Sequence, residues 1–214
     1  MKGYVITIMD NERSVQVANR CIASADKFDV RVSKWAATTP ADDPKSIMAA
    51  EGLPYANFDE IYSRTENCAA AFLSHYSLWQ EAIRIDEDIL ILEHDAVFTG
   101  PLPNYYGFKG CVSLGEPSYG KYHTPRFLGI NQLTSKKYFP GAHAYIISPR
   151  AAKVVVSRAK SQAAPTDVFF HIDRFPFLQE YYPWPVKAKD SFTTIQSERG
   201  CLAKHNYGET YGIL

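Results

Sequence analysis

The sequence has few cysteines, no net charge and no long apolar run, and each shortage narrows what the protein can be. Its four cysteines (Cys21, Cys68, Cys111 and Cys201) are scattered over 214 residues with no CxxC pair. That spacing argues against a cysteine-held zinc, and reduced thiols in a cytoplasmic compartment are expected. The 23 basic and 23 acidic residues balance. No overall field is therefore available to hold DNA or an anionic membrane without specificity, although a local basic groove stays open. No apolar run approaches the roughly 20 residues that a membrane span needs. The opening "MKGYVITIMD" has one lysine and a short apolar stretch broken by Thr7. It is too short for a signal peptide and reads as a first strand.

What is present suits a core. Hydrophobic residues make up 46% of the chain and aromatics 14%, and the length suits one domain over residues 1–214. "GYVITIM" (3–9) is β-branched-rich and reads as a buried strand. Residues 12–26 carry a helical pattern in Val15, Ala18, Cys21, Ile22 and Ala25. "FDVRVSKW" alternates, with Phe28, Val30 and Val32 on one side, and predicts a second strand. This β-α-β order points to an α/β layer fold with a largely parallel sheet. "TTPADDPKS" reads as a polar loop. The clearest helix is 67–85, where Phe72, Tyr76, Trp79 and Ile83 recur at spacings of three and four. Residues 99–140 are rich in Gly, Pro and Tyr, with one expected strand, "CVSLG", and such loops often form binding surfaces. "AYIIS" is a further strand, and Ser148-Pro149 supplies a cap and first-turn proline for the helix "RAAKVVVSRAK".

The informative stretch is "DILILEHDAV" (88–97), an apolar strand that ends in Glu93, His94 and Asp95. In a strand, residues i and i+2 share a side, so Glu93 and Asp95 are expected to project together. In open α/β sheets the carboxyl edge is where ligands bind. Two carboxylates about 5 Å apart repel by roughly 3 kcal/mol at an effective dielectric of about 20. No Lys or Arg lies between Arg84 and Lys109 to relieve this locally. A divalent cation such as magnesium or manganese would. The plainer reading is that the acids only terminate the strand, solvated or capping the next turn.

Three ordered segments, "LSHYSLWQEA", "DILILEHDAVF" and "GAHAYIISPRAA", resemble glycosyltransferase family 25, which includes lipooligosaccharide and collagen galactosyltransferases. Ser74, His75 and Trp79 match its Ser-His-x-x-x-Trp helix. Leu92, Glu93, His94 and Asp95 match its Leu-Glu-Asp-Asp strand end, and Gly141, Tyr145 and Ser148 its Gly-x-x-x-Tyr-x-x-Ser strand. "VITIMDNERS", "PTDVFF" and "FTTIQS" resemble further family segments. The pattern departs at His94, which stands where the family has a middle acid, and at Ala71, where it has a cysteine. The resemblance implies a GT-A-like, single Rossmann-type domain with a mixed, mostly parallel sheet. It implies UDP-galactose or UDP-glucose as donor, Mn2+ (or Mg2+) as cofactor, and a glycan or other hydroxyl acceptor.

It also implies roles for residues. Asp95 would hold the metal, with Glu93 beside it as a second ligand or reaching the ribose of the nucleotide sugar. Inversion needs one general base, for which Asp167 is the candidate and a helix cap after Pro165 the plainer reading. Asp173 is the alternative base, and an ion pair with Arg174 is its plainer reading. His75 fits either a diphosphate or sugar contact or a structural bond to the neighbouring strand. His143, just before a strand, fits a sugar contact. Arg13 fits a uracil or diphosphate contact, or a surface arginine. His205, in "LAKHNYG", fits a further metal ligand or a solvated tail residue. The aromatics of "NYYGFKG" and "SYGKYHTPRF" fit sugar stacking or ordinary packing. Two other functions compete: a nucleotidyltransferase or metal phosphohydrolase on the same scaffold, and a non-catalytic carbohydrate-binding protein. Neutral charge disfavours a nucleic-acid partner.

Overall fold

The computed structural model describes residues 1–58, 64–118, 120–139, 141–189, 192–195 and 212–213. The first half of the chain runs β1 (Lys2–Thr7), α1 (Glu12–Asp26), β2 (Val32–Ala36), α2 (Pro44–Ala50), α3 (Thr65–Ile85), β3 (Ile89–Glu93) and β4 (Ala96–Phe98). The second half runs β5 (Cys111–Ser113), β6 (Gly129–Gln132), β7 (Ala144–Ile147), α4 (Pro149–Gln162), α5 (Thr166–Phe169), β8 (Leu178–Tyr182) and β9 (Val186–Ala188). Seven strands form one sheet in the order β2-β1-β3-β7-β5-β8-β6. β1 is parallel to β2 and β3, and β5 to β8, whereas β7 and β6 are antiparallel to their neighbours. Five of the seven strands therefore point one way, and the expected α/β class with a mixed, mostly parallel sheet is what the fold has.

Both faces of the sheet are covered, which explains why the central strand is apolar without alternation. On β3, Ile89 and Ile91 join the cluster beneath α3 and α4, which contains Phe72, Trp79 and Tyr145. Leu90 and Leu92 join the opposite cluster with Ala18, Cys21 and Ala25 of α1. α1 and α3 thus cover opposite faces. The chain passes from β2, on one side of β1, to β3 on the other, so strand order reverses between β1 and β3. At such a switch point the carboxyl ends of the strands open a crevice.

Local chemistry fixes the elements beside that crevice. The Asn11 side chain accepts from Ser14 N (3.0 Å) and starts α1 immediately after β1. α3 ends at Asp86, in the left-handed conformation at φ +53°, so that β3 begins at once. Ser148 caps α4 with Pro149 in its first turn, as expected from the sequence.

The structure differs from the sequence reading in three places. β2 starts only at Val32, because Asp29 adopts φ +58° in a turn after α1. Phe28, Val30 and Val32 nevertheless pack on one common cluster. The expected loop "TTPADDPKS" runs into α2, because the Asp43 side chain accepts from Ser46 N and Pro44 opens the helix. The 99–140 region contributes β6 as well as β5, and β8 and β9 follow it. These short strands have too few residues to show a period.

Candidate active site

Glu93 closes β3 on the face covered by α3. Its Oε1 lies 3.2 Å from Nε2 of His75, whose side chain is 2% exposed. His75 Nδ1 lies 2.9 Å from the Tyr145 hydroxyl on β7, and Trp79 Nε1–H donates to that hydroxyl oxygen at 2.8 Å. One proton arrangement satisfies all of these groups. The Trp79 indole donates to Tyr145, the Tyr145 O–H donates to Nδ1, and Nε2–H donates to Glu93. Burial drives the His75 pKa down to about 4, against the opposing pull of Asp167, so the ring is neutral. Burial also raises Glu93, and the nearby Asp95 charge raises it further. The Glu93 side chain is 37% exposed, so water at its outer rim moderates that rise.

The strand stops at Glu93, and His94 and Asp95 form a turn into β4. The same-side argument from strand geometry therefore does not place Asp95. The turn keeps the two carboxylates near enough for Asp95 to raise Glu93, while the Asp95 carbonyl accepts from Lys189 N (3.0 Å). His94, at the position of the missing acid, serves a tether. Ser14 Oγ accepts from Ile8 N (3.0 Å) and lies 2.7 Å from His94 Nδ1. That hydrogen bond ties the start of α1 to the end of β3. Burial lowers the His94 pKa and favours the neutral ring that accepts from Ser14.

The remaining candidates are distributed around this edge. Arg13 sits on the first turn of α1 with its guanidinium 4.7 Å from the centre of the Phe192 ring, which also packs against His94. His143 is 1% exposed, and its carbonyl accepts from Glu93 N (3.0 Å). Its imidazole fills a slot between two glycines. A Cβ on Gly115 would overlap it, and one on Gly141, where φ is +136°, would lie 2.6 Å from Nδ1. Asp167 does not cap its own helix; its Oδ1 accepts from Ala142 N (2.6 Å), next to the glycine slot. Burial lowers the pKa of Lys136, and the Asp167 charge opposes that lowering. Asp173 is 78% exposed and lies 3.5 Å from His171 Nδ1, while Arg174 turns to Gln162 and the carbonyls of Val168 and Phe169. His205 lies outside the described residues.

The structure thus brings His75, Glu93 and Asp95 together, and sets Asp167 within electrostatic reach of His75. Arg13 stands apart beside His94, and His143 stands behind the strand ends. Sequence reasoning missed the Tyr145–Trp79 support beneath His75. Its signal was the register that pairs Tyr145 with Ile91, one residue pair short of Glu93 on the same face.

Glu93 and Asp95 are hard oxygen donors whose charges oppose each other, and this donor chemistry fits a divalent cation. Among the described residues, no group of three or more His, Cys, Asp and Glu side chains is placed to hold a metal ion. The protein would supply two donors, leaving the other positions for phosphate oxygens and water.

These features define an α/β protein with an acidic pair on the carboxyl edge of its switch point. Residues 16–109 match the model of Glycosyltransferase family 25 (LPS biosynthesis protein). The resemblance read from the sequence is therefore supported over a stretch that contains His75, Glu93 and Asp95, with Arg13, His143, Asp167 and His205 outside it. No curated protein matches. Among solved structures, A197 from STIV aligns at TM-score 0.44 and 8% identity, over 84% of this chain and 80% of its own. A protein assigned as a glucose-1-phosphate thymidylyltransferase from Bacillus anthracis, in complex with a sucrose, aligns at TM-score 0.38 and 10% identity, over 88% and 87%. Among the described residues, no helix is long and apolar enough to cross a membrane.

Proposed function

We propose that this chain, as a single GT-A-type domain, is a metal-dependent inverting glycosyltransferase that moves galactose or glucose from a UDP-sugar to a hydroxyl of a glycan acceptor in the cytoplasm. The observation that carries this reading is the Glu93–Asp95 pair, set at the β1/β3 switch point and inside the segment that matches the family. Glu93 and Asp95 would hold Mn2+ or Mg2+, which would supply Lewis-acid stabilisation of the negative charge on the departing diphosphate. Glu93 gives up its proton to serve as a ligand. His75 Nε2–H stays on Oε1 and fixes the plane of the carboxylate. Asp167 takes the proton of the acceptor hydroxyl, while Ala142 N–H holds its Oδ1.

The test is UDP release from UDP-galactose and UDP-glucose, with manganese present and after EDTA treatment, for the wild type and Asp95→Asn. Cation-dependent release that falls at least about 100-fold in the variant supports the reading. Release that is absent for every hexose donor, or that is indifferent to EDTA, removes it.

A further inference from the structure

The balanced total charge conceals a segregated distribution. Between Glu116 and Asp167 the chain carries eight Lys or Arg and no Asp or Glu. Within that stretch, residues 120–128 lead into β6, the edge strand of the sheet. Lys121, Tyr122, His123, Arg126, Phe127 and Leu128 are all exposed. Phe127 is 70% and Leu128 76% exposed, two adjacent large apolar side chains held out in water. The tip is shaped by its own hydrogen bonds. Asn131 Nδ2 donates to the carbonyls of Phe127 (3.3 Å), Leu128 (3.1 Å) and Gly129 (3.3 Å), and Gly129 turns at φ +86°. The backbone at Gly107 passes β6, where an added Cβ would come within 3.6 Å of the Ile130 carbonyl.

We propose that the Phe127–Leu128 tip, with Arg126 next to it and Lys121 exposed earlier in the same loop, is an interfacial anchor that seats the protein on an anionic lipid surface. The apolar pair enters the boundary between headgroups and acyl chains, and the basic residues meet the headgroup charge. Charge selects this occupant over a second copy of the chain. A symmetric contact between tips would set Lys121 and Arg126 of one copy against the same residues of the other, whereas an anionic bilayer complements both features. β6 runs antiparallel to β8, so its first residues lie at the same edge of the sheet as Glu93. An anchored molecule therefore presents its candidate site toward the lipid. This inference stands whether or not the sugar chemistry holds.

The experiment is co-sedimentation of the purified chain with vesicles of phosphatidylcholine alone and of phosphatidylcholine with roughly a quarter phosphatidylglycerol. The wild type binds the mixed vesicles at least about tenfold more tightly, and added salt weakens that binding. Phe127→Ser with Leu128→Ser lowers binding roughly tenfold or more. Lys121→Glu with Arg126→Glu lowers it as strongly. Lys153→Glu with Arg158→Glu, on α4 in the same acid-free stretch, lowers it less than about threefold. The substituted side chains are exposed, so thermal melts of these variants match the wild type, and Phe127→Ala alone repeats the test in the mildest form. The proposal is overturned by equal binding to neutral and anionic vesicles, by an unaffected tip variant, or by an α4 variant as damaged as Lys121→Glu/Arg126→Glu. It is also overturned if light scattering shows a wild-type dimer that the tip variant dissolves, since the patch would then join two copies.

Discussion

Glu93→Gln tests the His75–Glu93 pair through its proton count. Consider the window between the usual carboxylate pKa and 6.5. The unfolded chain carries one proton in this pair, on His75. The folded pair also carries one, on Glu93, because burial lowers His75 and burial with Asp95 raises Glu93. Equal counts make the pair's contribution to stability nearly independent of pH there. Replacing Glu93 by Gln removes the folded state's proton and leaves the unfolded state's. Gln still accepts from His75 Nε2–H, so His75 remains buried and neutral, with its pKa held from 6.5 down to about 4. In that window the unfolded variant binds more protons than the folded one. Its stability therefore rises with pH, by about 1.4 kcal/mol per pH unit, and acidification from pH 6.5 to 4 costs about 3 kcal/mol. Above pH 6.5 the order reverses. The wild type loses stability because its unfolded chain gives up the His75 proton while its folded chain keeps the proton on Glu93, and the variant does not. Urea unfolding of both proteins at half-unit steps from pH 4.5 to 8 gives the two profiles, and their difference cancels every other titrating group. Parallel profiles would refute the shared-proton account.

Four further outcomes follow from the same geometry. Tyr145→Phe leaves Trp79 Nε1–H without its acceptor and His75 Nδ1 without its donor in the core; denaturant titration gives a loss of about 2–4 kcal/mol. Gly115→Ala drives a methyl group into the His143 imidazole, and the thermal midpoint falls by an amount that corresponds to about 1–3 kcal/mol, because backbone on both sides limits any shift. Asp167→Asn keeps an oxygen for Ala142 N–H but removes the proposed base, so kcat falls roughly 100- to 10,000-fold while the melt is unchanged; Asp167→Ala lowers both. Manganese affinity, measured by calorimetry, strengthens from pH 6 to 8 as Glu93 loses the proton that burial and Asp95 hold on it, and binding releases protons to the buffer.

What could be read from the sequence followed the length of each signal. α1, α3 and α4 were legible because each spans three or more turns, and because Asn11 and Ser148 mark two of the starts. β3 was legible because burial on both faces produces an unbroken apolar run. β6 and β9 were not, since strands of four and three residues pack their side chains against distant segments and carry no local period. α2 was hidden because Pro44 and Asp43 favour a turn and a helix start equally well. At the site, the acidic pair was visible by composition, but the reason offered for its closeness was a strand that in fact ends at Glu93. A two-residue turn, His94–Asp95, which no periodicity encodes, brings Asp95 back.

The partners beneath His75 show why the acids need more than their own spacing. Glu93 faces an apolar core, where an unsupported carboxylate would take whichever rotamer reaches water. The hydrogen-bond chain from Trp79 through Tyr145 to His75 gives Oε1 a fixed donor from behind. That donor stays neutral, because a protonated imidazole is costly at 2% exposure. A cationic donor would satisfy the charge on Glu93 and weaken its hold on a metal, whereas a neutral one orients the carboxylate and leaves its charge for a cation. Substituting Lys for His75 would therefore close the site, and substituting Gln would preserve part of the positioning.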